Sequence, residues 1–117
     1  MQNLPPNKST FGMQIEINNL TKLSFNKYKN QHWATQKKFK DTLRLLVCSA
    51  TKETFKGGYS LNFEFEFIGR RLDTINVFHY CKIIEDKLFE QDKDNRQICV
   101  NVKKGTENKC ILYLKKL

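Results

Sequence analysis

Aspartate is scarce in this 117-residue chain. There are five, Asp41, Asp73, Asp86, Asp92 and Asp94, and twelve acidic side chains in all against 21 lysines and arginines. Long apolar runs are missing too. No stretch approaches the roughly 18 apolar residues of a spanning helix, so no membrane partner is expected. The opening MQNLPPNKSTFG lacks the apolar core of a secretory leader, and residues 1–12 are expected to form a flexible polar tail. There are only two histidines. The four cysteines, Cys48, Cys81, Cys99 and Cys110, form no C-x-x-C pair or other zinc spacing, so a Cys/His metal centre is not expected. Cys81, Cys99 and Cys110 fall within or beside apolar patterns, where thiols behave as small buried hydrophobes in a reducing cytoplasm. There are no internal repeats or low-complexity tracts.

What is abundant is positive charge, with a formal net of +9. An excess of that size favours polyanions: DNA, RNA or an anionic membrane surface. Apolar content of 39% and charged content of 28% are ordinary for a globular fold, and nine phenylalanines make an aromatic-rich core. The length suits one small domain, here residues 13–117, that buries its core without disulfides.

Periodicity sketches the architecture. Residues 13–18 alternate Met13, Ile15 and Ile17 with polar partners, a strand pattern. The stretch LTKLSFNKYKNQHWATQKK reads as an irregular basic and aromatic loop. From about residue 34 to 50, Phe39, Leu43, Leu46, Val47 and Ala50 recur at helical spacing. Lys56-Gly57-Gly58 marks a turn. In SLNFEFEFI, residues 60–68, Leu61, Phe63, Phe65 and Phe67 point one way and Asn62, Glu64 and Glu66 the other. A second helix, capped by Asp73 or Thr74, runs to about Phe89. Residues 97–103 and 109–115 are two further strands, with GTEN as a hairpin connection. The expected fold is α+β: a mostly antiparallel sheet with two helices packed on it, in the order β-α-β-α-β-β.

Four of the five aspartates lie between residues 73 and 94. On the second helix, Val77, Tyr80, Cys81, Ile84 and Leu88 share the core face, while Asn76, His79, Lys82 and Asp86 share the opposite one. Asp73 stands at the entrance; Asp92 and Asp94 follow the exit. Each has a purely structural reading: a helix cap, an i,i+4 ion pair between Lys82 and Asp86, an exposed loop. Together they have a chemical one. Hard divalent cations take oxygen ligands, and a metal held by a few aspartates inside a basic protein can activate water against a phosphodiester. Lysines and aromatics interleave upstream: Tyr28, His32 and Trp33 among Lys27, Lys29, Lys37 and Lys38. The lysines suit phosphates, and Arg70 and Arg71 suit substrate backbone near the metal. The Trp33 indole either stacks on an exposed base or, as the plainer expectation, packs the loop onto the core. His79 is expected to be a solvated surface residue without catalytic duty.

The stretch RRLDTINVFHYCKIIEDKL resembles the signature of the RusA-type Holliday-junction resolvases of phages and prophages: D-x-D-N, then Lys, then Asp-x-Leu in a helix, then an acidic loop before a strand. Asp73, Asn76, Lys82, Asp86 and Leu88 match that order. SFNKYKNQHWATQKKFKDTL is similar to the family's early loop and Lys-rich helix, and LNFEFEFIGRRLD to the strand that delivers the first Asp. The likeness covers roughly residues 13–117.

That resemblance implies a homodimer, dependence on Mg²⁺ or Mn²⁺, four-way DNA junctions as substrate, paired symmetric nicks, and a bacterial cytoplasmic protein of phage or prophage origin. It implies Asp73, Lys82 and Asp94 as catalytic residues and Asp73, Asp86, Asp92 and Asp94 as metal ligands. Asn76 supports the helix start or a ligand. The exposed apolar positions Phe78 and Phe89 are candidates for the dimer interface. Two positions depart from the pattern. Ile75 replaces the family's second Asp, and the later acids read Asp92-Lys93-Asp94-Asn95, so either Asp92 with Asp94 or Asp94 with Asn95 aligns with the family's pair. A junction-binding protein that does not cut, and a small basic RNA- or protein-binding module, are the rival readings.

Overall fold

The structure is a computed structural model and describes residues 12–89 and 96–117. The chain forms β1 (Met13–Ile17), a short α1 (Phe25–Lys29), α2 (Trp33–Ala50), β2 (Tyr59–Ile68), a 3₁₀ turn (Thr74–Val77) leading into α3 (Phe78–Leu88), β3 (Arg96–Gly105) and β4 (Lys109–Lys116). It is an α+β fold with one four-stranded mixed sheet in the order β1-β4-β2-β3. The proposed tail, residues 1–12, lies outside the described residues except for Gly12.

The alternation in β2 does what its period requires. Leu61, Phe63, Phe65 and Phe67 are buried on the helix side, where the Phe63, Phe65 and Phe67 rings stack in series. The Tyr80 ring of α3 closes on Phe65 and Phe67 with centroids 5.6 and 5.9 Å away. The whole expected core stripe of α3, Val77, Tyr80, Cys81, Ile84 and Leu88, is buried with them, and Leu43 and Val47 of α2 join. Cys81 and Cys110 are buried as expected, whereas Cys99 is exposed because it lies in register with Asn62, on the sheet face away from the helices. Phe89 is buried rather than exposed: it packs with Phe55 and Tyr59 at 5.7 and 5.5 Å, and the Arg96 guanidinium lies 4.6 Å over its ring.

Two expectations about connectivity fail. The loop before α2 contains a helical turn, α1, capped by Ser24, whose Oγ accepts from Lys27 N–H at 3.2 Å. And GTEN is not a hairpin turn. β3 pairs parallel to β2, while β4 pairs antiparallel to β2's other side, so β2 lies between them. The reason is α3. It returns the chain to the end where β2 began, so the next strand runs with β2, as β-α-β connections do. Residues 106–108 then cross the end of β2, and specific acceptors hold that crossing. Glu66 Oε2 accepts from Thr106 N–H at 2.9 Å and Glu107 N–H at 3.0 Å. Asn108 Oδ1 accepts from Ile68 N–H at 2.8 Å. Gly105 lies directly against the Glu66 carboxylate, where a β-carbon would collide with it.

Candidate nucleic-acid interface

At the exit of β2 the chain turns through Gly69, whose φ of 77° lies in the region that glycine adopts without strain. The Lys22 ammonium is inserted under this turn, donating to the Ile68 carbonyl at 2.9 Å and to the Arg70 carbonyl. The turn thereby projects Arg70 and Arg71. Arg71 Nη1 donates to the Val102 carbonyl of β3 at 3.3 Å. The result is a cleft of roughly 400 Å³ whose polar wall holds Lys22, Lys27, Arg70 and Arg71, with Asp73 and Asn76 beside them.

Leu23 and Ser24 also line the cleft, and buried polar groups of α3 set the path of residues 21–23. The Tyr80 hydroxyl donates to the Thr21 carbonyl and accepts from Leu23 N–H at 2.8 Å. His79 Nε2 meets the Leu23 carbonyl at 2.7 Å. An N–H must donate there, so Nδ1 carries the lone pair. His79 is 4% exposed, not solvated as its place on the helical wheel implied. The wheel gives direction on a lone helix; α1 and α2 cover that side, and Tyr28 stacks on the imidazole at 5.0 Å. Burial, working against the Leu23 bond, lowers the pKa of His79 to about 4.

Asp73 precedes the 3₁₀ turn with extended backbone angles, but its carboxylate caps nothing. Only its carbonyl takes part, accepting from Asn76 N–H at 2.8 Å. Among the described residues the carboxylate has no ion pair, although four cationic side chains line the same cleft. Asn76 shares the cleft; Ile75, at the position where the resolvase signature has a second Asp, is 63% exposed.

Lys82 and Asp86 lie elsewhere. Helical rise alone carries Lys82 roughly 15 Å and Asp86 roughly 20 Å from Asp73. The two pair with each other at 3.1 Å and line a second cleft on the far side of α1. Asp86 is therefore not brought to Asp73, and neither is Lys82. Asp92 and Asp94 lie outside the described residues. Among the described residues no group of three or more His, Cys, Asp or Glu is placed to hold a metal. Asp73 on its own supplies one hard oxygen ligand, which suits Mg²⁺ where substrate phosphate and water provide the rest.

Of the other candidate contacts, Lys27 faces the first cleft, Lys29 lies 5.9 Å over the Phe25 ring, Lys38 is exposed on α2, and Lys37 pairs with Asp41 at 2.8 Å. Trp33 does not pack onto the core. It opens α2, its indole is 70% exposed, and its nearest ring is His32 at 5.5 Å. Lys22 is the cleft cation that sequence patterning missed, because one lysine within an irregular basic stretch carries no periodic signal. No helix among the described residues is long and apolar enough to cross a membrane. No protein-family model matches this chain, and no curated protein sequence matches it.

Proposed function

We propose that the protein grips the phosphodiester backbone of branched DNA in the cleft between residues 22–24 and the segment that follows the Gly69 turn, and that with Mg²⁺ or Mn²⁺ it cuts there as a structure-specific endonuclease of the RusA type. One observation carries the reading: the Asp73 carboxylate, which caps nothing and has no ion pair among the described residues, is set among Lys22, Lys27, Arg70 and Arg71. Cations alone would describe any phosphate groove. A carboxylate held among them repels phosphate unless a divalent cation bridges the two.

The roles follow from position. Asp73 is the anchor ligand, with Asp92 or Asp94 assigned to complete the set. The metal, when bound, supplies Lewis-acid polarisation and an activated water. Lys27 and Arg70, whose side chains make no ion pair among the described residues, hold the scissile strand's phosphates. Arg71 and Lys22 are partly committed to backbone carbonyls and fix the shape of the wall. Lys82 is replaced in the charge-stabilising role by these nearer cations. A homodimer would offer two such clefts to the near two-fold symmetry of a four-way junction.

Exposed Ile75 favours a second reading, a junction binder that does not cut, because an aliphatic side chain cannot replace a lost carboxylate ligand. A labelled four-way junction incubated with Mg²⁺ or Mn²⁺ decides between them. The nuclease yields paired nicks, and Asp73→Asn lowers their rate by about 10²-fold or more while binding persists. A retarded but intact junction selects the binder. Equal affinity for junction and plain duplex overturns both.

A further inference from the structure

The second cleft, across α1 from the first, has a different chemistry. Its volume is roughly 380 Å³. Aromatic groups line it: Phe25 and Tyr28 from α1, Phe78 and His79 from α3. Phe78 is 49% exposed, so part of its ring is open to the cleft. Lys40 and Arg44 of α2 also line it, Arg44 lying 3.5 Å from Asp41, together with Lys82 and its partner Asp86. His79 Nδ1 is buried and has no hydrogen-bond partner among the described residues. Its tautomer is set by Leu23, so Nδ1 is an acceptor that lacks a donor. Leaving such a group unmatched is disfavoured, and its persistence calls for a ligand.

The geometry points to a pocket for one unpaired nucleobase and its phosphate: the base stacks on Phe78, its donor edge reaches His79 Nδ1 as the half-buried Phe25 ring turns aside, and Lys40 and Arg44 take the phosphate. Flat walls require a planar ring, the lone imidazole acceptor requires an N–H, and the cations require an anion. A nucleotide carries all three. Every common base has an N–H on its Watson–Crick edge, so the pocket selects for an unpaired base rather than a particular one. A paired base has spent that edge. This site needs only that the protein meets unpaired nucleotides, and it stands whether or not Asp73 supports cleavage. Free nucleotide and unpaired strand share the chemistry, and the test separates them.

The probes are a 12-nucleotide single strand with central 2-aminopurine, the same strand fully paired, and 2-aminopurine riboside 5′-monophosphate. Binding of the single strand is expected to quench the fluorescent base, with affinity about tenfold above that for the duplex. Phe78→Ala and the double variant Lys40→Ala/Arg44→Ala each abolish that preference; both replace surface side chains, and an unchanged melting temperature shows that they fold. In the wild type the ¹⁵N resonance of His79 Nδ1 moves on addition of the single strand. The same movement with the monophosphate at comparable concentration assigns the pocket to free nucleotide; its absence assigns it to strand. An unquenched bound base, a preference that survives Phe78→Ala, or a stationary Nδ1 resonance with every probe overturns the inference. Lys27→Ala/Arg70→Ala, which alters only the first cleft, weakens single strand and duplex alike and so reports on the nuclease reading separately.

Discussion

His79 is neutral at physiological pH because burial outweighs its bond to the Leu23 carbonyl and brings its pKa down to about 4. An unfolded histidine titrates near 6.5. Folding stability is therefore complete above that value. It falls as the pH drops towards 4, since the unfolded chain takes up the proton first. The loss from this one group is at most about 3 kcal/mol. Urea titrations at pH 7.0 and 4.5 should reveal it, and His79→Gln, which keeps an N–H for Leu23, should flatten the profile over that interval. Glu66 acts lower. The Thr106 and Glu107 amides hold its carboxyl below the usual glutamate value, so its contribution persists until the pH falls below about 4.5 and is lost beneath that. Two buried polar side chains thus destabilise the fold in separate acid windows.

The unit β2-α3-β3 explains both the sheet order and the placement of the first cleft. The ends of its last crossover are clasped by one ion pair: Arg96 Nε donates to Glu85 Oε2 at 2.8 Å, and both side chains are nearly buried. Arg96 also covers the Phe89 ring. Removing one partner leaves a buried charge uncompensated, so Arg96→Ala should lower unfolding free energy by about 3 kcal/mol, measured by urea denaturation. The exposed Lys82–Asp86 pair, by contrast, contributes at most a few tenths. The core stripe of α3 and the alternation of β2 were legible in sequence, because a single period decides which residues share a face. α1 was not: five residues span little more than one turn, too few to set a period. The link at GTEN was misread because its turn-like composition says nothing of which strands neighbour each other.

Seven of the 21 lysines and arginines line the two clefts that flank α1, where Asp73 and Asp86 share the lining and Asp41 lies 3.5 Å from Arg44. A third of the cationic side chains is thus gathered around one short helix. If four phosphates are neutralised there, the logarithm of the binding constant should fall against the logarithm of salt with a slope of about −3.6 for duplex arms. Lys27→Ala/Arg70→Ala should reduce that slope by about 2, whereas Lys37→Ala, already paired with Asp41, should change it little. Fluorescence anisotropy from 50 to 300 mM KCl measures all three. Of the residues on which the resolvase resemblance rests, Asp73 and Asn76 line the first cleft, and Lys82 and Asp86 the other.

Sequence alone determined the strands, the two long helices and the aromatic core, because composition and short-range period are local quantities. Tertiary structure decided which polar groups are wet and which meet. His79 is sealed by rings from other elements, Lys22 reaches across 46 residues to the Ile68 carbonyl, and Asp86 is carried away from Asp73 by the 3₁₀ turn and helix that follow it. Burial and cross-chain contact arise only when elements pack, and no pattern within one element encodes them.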